Sequence, residues 1–257
     1  IGECPYNNFC DFETPDLCGY TIAEPDQGLG WEQEQSTDDQ SSDHTLGHSL
    51  GHYMVANSLT PHIQGRSARL FTHQYTEQNI CVRFWYKLIG DVEFNIRTLS
   101  VGNFLSPPYF TAKVQRGYDW SFGQVTIDSM EAYQVVFETV DPGIELEGQL
   151  ILDDIYINVN KKCDPLAYCD FENGDMCGYH HNTRFSDFNW VMLSGELGSS
   201  QNDWDVPKVD NTLGTAKGSF LYLHMTQNRN ERERCIIESE IVPESLGVLC
   251  LQLYLNI

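Results

Sequence analysis

The sequence predicts an all-β protein of antiparallel sandwiches, and three observations carry that expectation. Apolar and polar residues alternate with a period of two through several short runs, turn-rich segments such as 102–108 and 141–143 separate the runs, and no window of about 12 residues holds a helical apolar stripe. Val82, Phe84, Tyr86 and Leu88 alternate with Arg83, Trp85 and Lys87. Phe94 and Ile96 alternate with Asn95 and Arg97, and Val135, Val136 and Phe137 form another β-rich run. Residues 149–158 alternate again, which places Ile151, Asp153, Ile155 and Ile157 on one inward face. The segments 26–43 and 196–211 are polar and lack β periodicity, so they read as loops.

The chain has 257 residues, enough to bury a sizeable core in one large domain or two small ones. With 41% hydrophobic residues it folds rather than staying disordered. Fifteen Lys and Arg against 37 Asp and Glu give a net charge of −22. That charge repels phosphates and anionic surfaces, which excludes nucleic acid as a partner. Apolar stretches run for only a few residues, far short of the ~20 that span a bilayer, so this segment does not insert directly into a membrane. No basic start leads into an apolar signal segment. The sequence opens at Ile1 and ends inside the alternation Leu249, Leu251, Leu253, Leu255, which reads as a piece of something longer.

An internal repeat organises the chain. The segment from Cys4, C-P-Y-N-N-F-C-D-F-E-T-P-D-L-C-G-Y, recurs from Cys163 as C-D-P-L-A-Y-C-D-F-E-N-G-D-M-C-G-Y, an offset of 163 − 4 = 159 that also relates Trp31 to Trp190. Gly51-His52-Tyr53 then matches Gly218-Ser219-Phe220 at 218 − 51 = 167, so the second copy carries an insertion of 167 − 159 = 8 residues. Cys81 through Tyr86 matches Cys250 through Leu255, and the second copy therefore stops about half-way. The expected organisation is a tail of a preceding module over residues 1–9, a complete module over 10–163 and an N-terminal half module over 164–257.

Nine cysteines leave free thiols, metal ligands and disulfides open, but the absence of any C-x-x-C removes the commonest zinc-ribbon and thioredoxin patterns. An odd total in a secreted fold leaves at least one half-cystine to pair outside the chain or stay free.

Together, C-D-F-E with C-G-Y, Trp31, Asp43-His44-Thr45, Gly51-His52-Tyr53, Ala68-Arg69-Leu70, Cys81 to Tyr86 and Leu152-Asp153-Asp154-Ile155 leading to Cys163 resemble the MAM modules of meprin, neuropilin and receptor tyrosine phosphatase mu. The resemblance covers residues 10–163 and the first half of a second copy from Cys169. It implies a jelly-roll β-sandwich, disulfide bonds, an extracellular location and a role in adhesion or protein recognition rather than catalysis. It further implies the pairs Cys10 with Cys18, Cys81 with Cys163, and Cys169 with Cys177. Cys4 then takes the place of the closing cysteine of a preceding module, and Cys250 lacks its partner. Cys235 departs from the pattern, since Ala68 holds its place in the first copy; Cys250 or a downstream residue could be its partner.

The resemblance also implies an internal cation, calcium or more weakly sodium, held by Glu13, Asp43 and an acid of the Asp153-Asp154 pair. Carboxylates from distant loops suit such hard ions, and a carboxylate on an inward face has to be paired, hydrogen-bonded or metal-bound. The alternative is that these acids accept backbone N–H groups or pair with Arg66 or Arg69. The second copy keeps Glu172 and Asp210.

His44, His48 and His52 fall at i, i+4 and i+8, a zinc-binding spacing on a helix. Gly47 and Gly51 argue against a helix there, and Asn211 and Ser219 replace two of the three in the second copy. No H-E-x-x-H, G-x-S-x-G or phosphate-cradling glycine loop is present, so no catalytic function is expected. The expected function is adhesion or recognition of other proteins, homophilic pairing included. The alternatives are accessory assembly or substrate-recognition domains of an extracellular protease, or a carbohydrate-binding module, which fold analogy alone supports.

Overall fold

The computed structural model describes residues 9–25, 29–37, 42–58, 63–113, 120–143, 148–182, 185–200, 206–223, 232–239, 242 and 250–256. The expectations for residues 1–8, Cys4 among them, and for Leu249 lie outside those residues. The chain forms two units, residues 1–163 and 164–257.

The first unit holds strands β1 (Phe9–Cys10), β2 (Thr21–Ile22), β3 (Trp31–Gln35), β4 (His52–Ser58), β5 (Ser67–Tyr75), β6 (Asn79–Gly90), β7 (Glu93–Ser100), β8 (Phe110–Lys113), β9 (Ser121–Asp128), β10 (Tyr133–Val140) and β11 (Gly148–Val159). One sheet runs β3-β4-β11-β6-β9, with β1 also on β11; the other runs β2-β5-β10-β7-β8. Every pairing is antiparallel. From β4 to β7, and again from β8 to β11, successive strands change sheet, the arched winding of a jelly-roll.

Because period-two alternation gives each strand one apolar face, the two inward faces close a single core. Val82, Phe84, Tyr86 and Leu88 of β6 meet Phe94 and Ile96 of β7 and Val135 and Phe137 of β10 there. The Phe84 ring makes edge contacts with Phe94, Phe110 and Phe137 at centroid distances of 5.5, 5.1 and 6.2 Å. Burying each such ring contributes roughly 1.5–3 kcal/mol. Edge strand β3 carries Glu32 and Glu34, charges that oppose pairing with another chain's edge.

Residues 151–157 depart from the expected single face. Leu150, Leu152, Ile155 and Ile157 line the main core, whereas Ile151 joins Tyr53 and Val55 in a separate cluster. A bulge is the cause: Asp153 pairs with Trp85 and Tyr156 with Arg83, so Asp154 and Ile155 together oppose Phe84. Asp154 adopts φ 45°, and the extra residue switches the alternation. Asp153 is thus buried without sharing the inward face of Ile155 and Ile157.

Among the described residues three disulfides form, Cys10–Cys18, Cys81–Cys163 and Cys169–Cys177. Cys235 and Cys250 are not bonded to each other, and the Cys250 thiol is exposed.

The second unit holds β12 (His180–His181), β13 (Val191–Ser194), β14 (Ser219–Tyr222) and β15 (Ile237–Glu238), with β12 on β15 and β13 on β14. Its β13–β14 register repeats that of β3–β4. Val191 pairs with Tyr222 where Glu32 pairs with Val55, and Ser194 pairs with Ser219 where Gln35 pairs with His52. A helix, α1 (Gly195–Ser200), opens the segment expected to be all loop. Its start is capped by the Ser194 hydroxyl, which accepts the Leu197 N–H, and Glu196 N–H donates to Ala216 O. Residues 251–256, the counterpart of β6, form no strand, and Leu251, Leu253 and Leu255 are exposed. In the first unit β6 is held on both sides by β9 and β11, and no described strand of residues 164–257 corresponds to either.

Candidate functional site

The C-D-F-E segment makes a tight turn in both copies. Asp11 accepts the Glu13 N–H through Oδ1 at 3.2 Å, and Asp170 accepts the Glu172 N–H at 3.1 Å. Phe12 and Phe171 take φ 52° and 61°. The turn aims the following glutamate at the start of the next long strand: Glu13 accepts the His52 N–H at 2.9 Å, and Glu172 accepts the Ser219 N–H at 3.1 Å. His52 Nδ1 also lies 3.3 Å from Glu13 Oε2.

Asp43 closes the loop that leads into β4. Its carboxylate accepts the N–H groups of Leu46 (2.6 Å) and His48 (3.4 Å). Asp210 repeats this with Leu213 (2.5 Å) and Thr215 (3.0 Å). A Cβ on Gly51 would stand 2.0 Å from Asp43 Cγ, and one on Gly218 would stand 2.1 Å from Asp210 Cγ. Glycine is therefore required at both positions by the close approach of a carboxylate, the physical content of the repeated G-H-Y and G-S-F. Burial raises the proton affinity of Asp210, but N–H bonds from Leu213, Thr215 and Thr212 outweigh it and hold its carboxyl below the usual range.

The bulge in β11 ties the same loop to the sheet. Asp153 accepts His44 N–H at 2.8 Å, Thr45 N–H at 3.4 Å and Asp154 N–H at 2.9 Å. Asp154 holds His44 Nδ1 at 2.5 Å and accepts the Thr45 hydroxyl at 2.7 Å. The His44 ring stacks on Trp85 at 3.9 Å and meets Trp120 edge-on at 5.7 Å. Asp153 is fully buried; its burial and the charges of Asp154 and Asp43 push its carboxyl up to about 9, against the N–H bonds.

Asp43, Asp153 and Asp154 are thus brought together around one loop, with Glu13 holding its far end. Among the described residues, no three His, Cys, Asp or Glu side chains are arranged to hold a metal ion. The acids instead accept the N–H groups of the loop. Arg66 and Arg69 do not serve them: Arg66 pairs with Asp141 and Arg69 with Glu138, both at 2.8 Å. The three histidines do not line one helix face either, since His44 turns to Asp154, His48 Nδ1 accepts the Leu50 N–H and His52 turns to Glu13. The sequence marks Asp43-His44-Thr45 and Gly51-His52-Tyr53 as motifs but does not reveal that His44 and Thr45 bind the Asp153-Asp154 bulge or that Gly51 makes room for Asp43. The recurrence of Gly at both 51 and 218, each eight residues after an Asp, was the available signal.

The MAM domain family (meprin/A5/mu) matches residues 10–164 and 169–257. Thyroid hormone-induced protein B of Xenopus laevis is 28% identical over 190 residues, 67% of this chain and 27% of that protein. Human MAM domain-containing glycosylphosphatidylinositol anchor protein 1 is 27% identical over 178 residues, 62% of this chain and 18% of that protein. The chain thus spans less than a third of either relative. Among solved structures, the K1 cleaved adhesin domain of Lys-gingipain from Porphyromonas gingivalis aligns with a TM-score of 0.45 at 14% identity, covering 60% of this chain and 98% of that one. The CBM22-1 xylan-binding domain of Paenibacillus barcinonensis Xyn10C aligns with a TM-score of 0.40 at 10% identity, covering 60% and 94%. With its family matched over both copies of the repeat, the chain belongs to the MAM domain family.

Proposed function

We propose that this chain is a non-catalytic recognition segment of a larger extracellular protein, binding another protein through its MAM units. The observation that carries this reading is family membership across both copies, since MAM domains are interaction modules. Three disulfides fit an oxidising, extracellular setting. Among the described residues no helix is long and apolar enough to cross a membrane. Beads coated with the whole chain and offered to cells test the reading. Binding should disappear when surface proteins are shaved by protease and survive glycosidase treatment. Binding lost to glycosidase alone, or no binding, would contradict it. Bead self-aggregation reports homophilic pairing, which a charge of −22 on each copy opposes at low salt.

We propose further that calcium or sodium offsets the charge gathered at Asp43, Asp153 and Asp154, which requires carboxylate oxygens that now accept N–H groups to turn towards the ion. What supports this is the complete burial of Asp153 beside two other acids. An ion bound only by the folded state at a hundredfold excess over its Kd stabilises by about 2.7 kcal/mol. Melts in calcium and in chelator should differ accordingly, and Asp153→Asn should abolish the difference. In chelator, an acid with raised proton affinity favours the fold while protonated. Its contribution is therefore present below about pH 4 and lost as pH climbs towards 9. Calcium should flatten that decline; identical midpoints with and without it across this range would leave only N–H bonding to these acids.

A further inference from the structure

The end of the first sandwich where β7 passes to β8 presents apolar side chains that the core does not use. Val101, Phe104 and Met130 are 71%, 67% and 87% exposed, and Tyr109 is 40% exposed. The pairing of Tyr133 with Ser100 sets the β9–β10 turn, which bears Met130, against the start of the β7–β8 loop. The Tyr109 hydroxyl donates to Asp128 O at 3.5 Å and ties the end of that loop to the same turn. Isolated exposed apolar residues need no explanation, but several gathered on adjoining turns do.

The loop that carries them is ordered by its own backbone. Asn103 N–H donates to Ser100 O at 2.9 Å, Ser100 N–H to Phe104 O at 3.0 Å, Ser106 N–H to Thr98 O at 2.9 Å and Tyr109 N–H to Ile96 O at 2.8 Å. Leu99 and Leu105 form a β-bridge across it, and Pro107-Pro108 fix its exit. Side chains held outward on such a frame bind with little further loss of chain entropy, the preorganisation that contact surfaces use.

The charged groups at this end are mostly acids. Beyond its burial, the charges of Glu77 and Asp128 act on the Tyr133 hydroxyl and help to hold its proton, Asp128 also accepts from Gln78 Nε2 at 3.4 Å, and Glu131 follows Met130 in the β9–β10 turn. Lys162 pairs with Asp128 at 3.5 Å, and Arg97, which reaches Ser106 O, is committed to Glu138 at 2.6 Å. With Asp128 paired to Lys162 and Arg97 to Glu138, Glu77 and Glu131 leave this end with more negative than positive charge, which disfavours an anionic bilayer and a second copy of the same end.

Resting on the recognition reading above, we propose that this end docks a protein partner with an apolar pocket, filled by Phe104 and flanked by Val101 and Met130, and with lysine or arginine at its lip. Disulfide-cyclised random peptides displayed on phage and selected on the whole chain are the probe. Selected peptides should combine aromatic or aliphatic residues with Lys or Arg, and should bind at least tenfold more weakly to the Val101→Ser/Phe104→Ser double variant. They should also weaken severalfold between 0.1 M and 0.5 M salt, and should bind unchanged to Leu50→Ser, an exposed apolar position elsewhere. An unchanged melting midpoint establishes that the double variant folds. Peptides indifferent to the double variant overturn the proposal, as do vesicles of zwitterionic lipid that sediment the wild-type chain but not the variant. A wild-type dimer that the variant dissolves overturns it too. Bead binding to cells that the double variant leaves intact would also overturn it while preserving the recognition reading, whereas beads that never bind would count against that reading itself.

Discussion

Replacing Cys81 and Cys163 by serine should lower the stability of the first unit by about 4–5 kcal/mol, the loop-closure entropy that a bridge spanning 82 residues removes from the unfolded chain. The bridge joins the start of β6 to the residues just beyond β11, so it cross-links two adjacent strands of one sheet. Cys163 N–H also donates to the Thr126 hydroxyl of β9 at 2.9 Å, which keeps the native position of that segment when the sulfurs are removed. The loss should therefore appear as a lower denaturant midpoint with the sandwich retained. The same change at Cys10 and Cys18, eight residues apart, should cost only about 2.5 kcal/mol. Equal losses for the two pairs would show that local native contacts, rather than loop closure, set the contribution.

Arg66→Met should cost about 3–5 kcal/mol, because it strands a buried carboxylate. The Arg66 and Asp141 side chains are almost wholly inaccessible and meet at 2.8 Å. Asp141 is further held by Gly143 N–H at 2.8 Å and Ile63 N–H at 3.4 Å, so it cannot swing out to water without opening the turn that follows β10. The double change Arg66→Met/Asp141→Leu should recover much of the loss, since an apolar pair of similar volume commonly replaces a buried ion pair at little cost. Urea unfolding of the two variants measures this. A single variant within about 1 kcal/mol of wild type would mean that Asp141 is solvated after all.

Much of the fold was legible because burial on one face writes itself into alternation. Val82, Phe84, Tyr86 and Leu88 announce the inward face of β6, and each lines the core. Asp153 and Asp154 were legible as acids of interest but not in their placement. The bulge that separates Ile151 from Ile155 depends on Asp154 at positive φ, stabilised by His44 and Thr45 more than a hundred positions away in sequence. Local periodicity carries no trace of such a partner. Gly51 is legible as a glycine repeated at 218, but not its reason: a Cβ there would collide with the Asp43 carboxylate, a proximity that only the folded loop creates. Helix α1 escaped because its six residues, capped by Ser194 and tied to Ala216, hold a single large apolar side chain, Leu197, and so leave no apolar stripe to read.

Each copy of the repeat is closed by its own glutamate, aspartate and glycine, Glu13, Asp43 and Gly51 in the first and Glu172, Asp210 and Gly218 in the second. Hydrogen exchange on the full chain, compared for wild type, Gly51→Ala and Gly218→Ala, tests it most directly. Each added Cβ displaces a carboxylate from the loop it closes, a loss of roughly 3 kcal/mol from overpacking and broken charge-assisted bonds together. Gly51→Ala should speed exchange across β3, β4 and β11 while leaving β13 and β14 unchanged, and Gly218→Ala should do the reverse. Substitutions that each deprotect both halves together, or that deprotect neither, would contradict the claim.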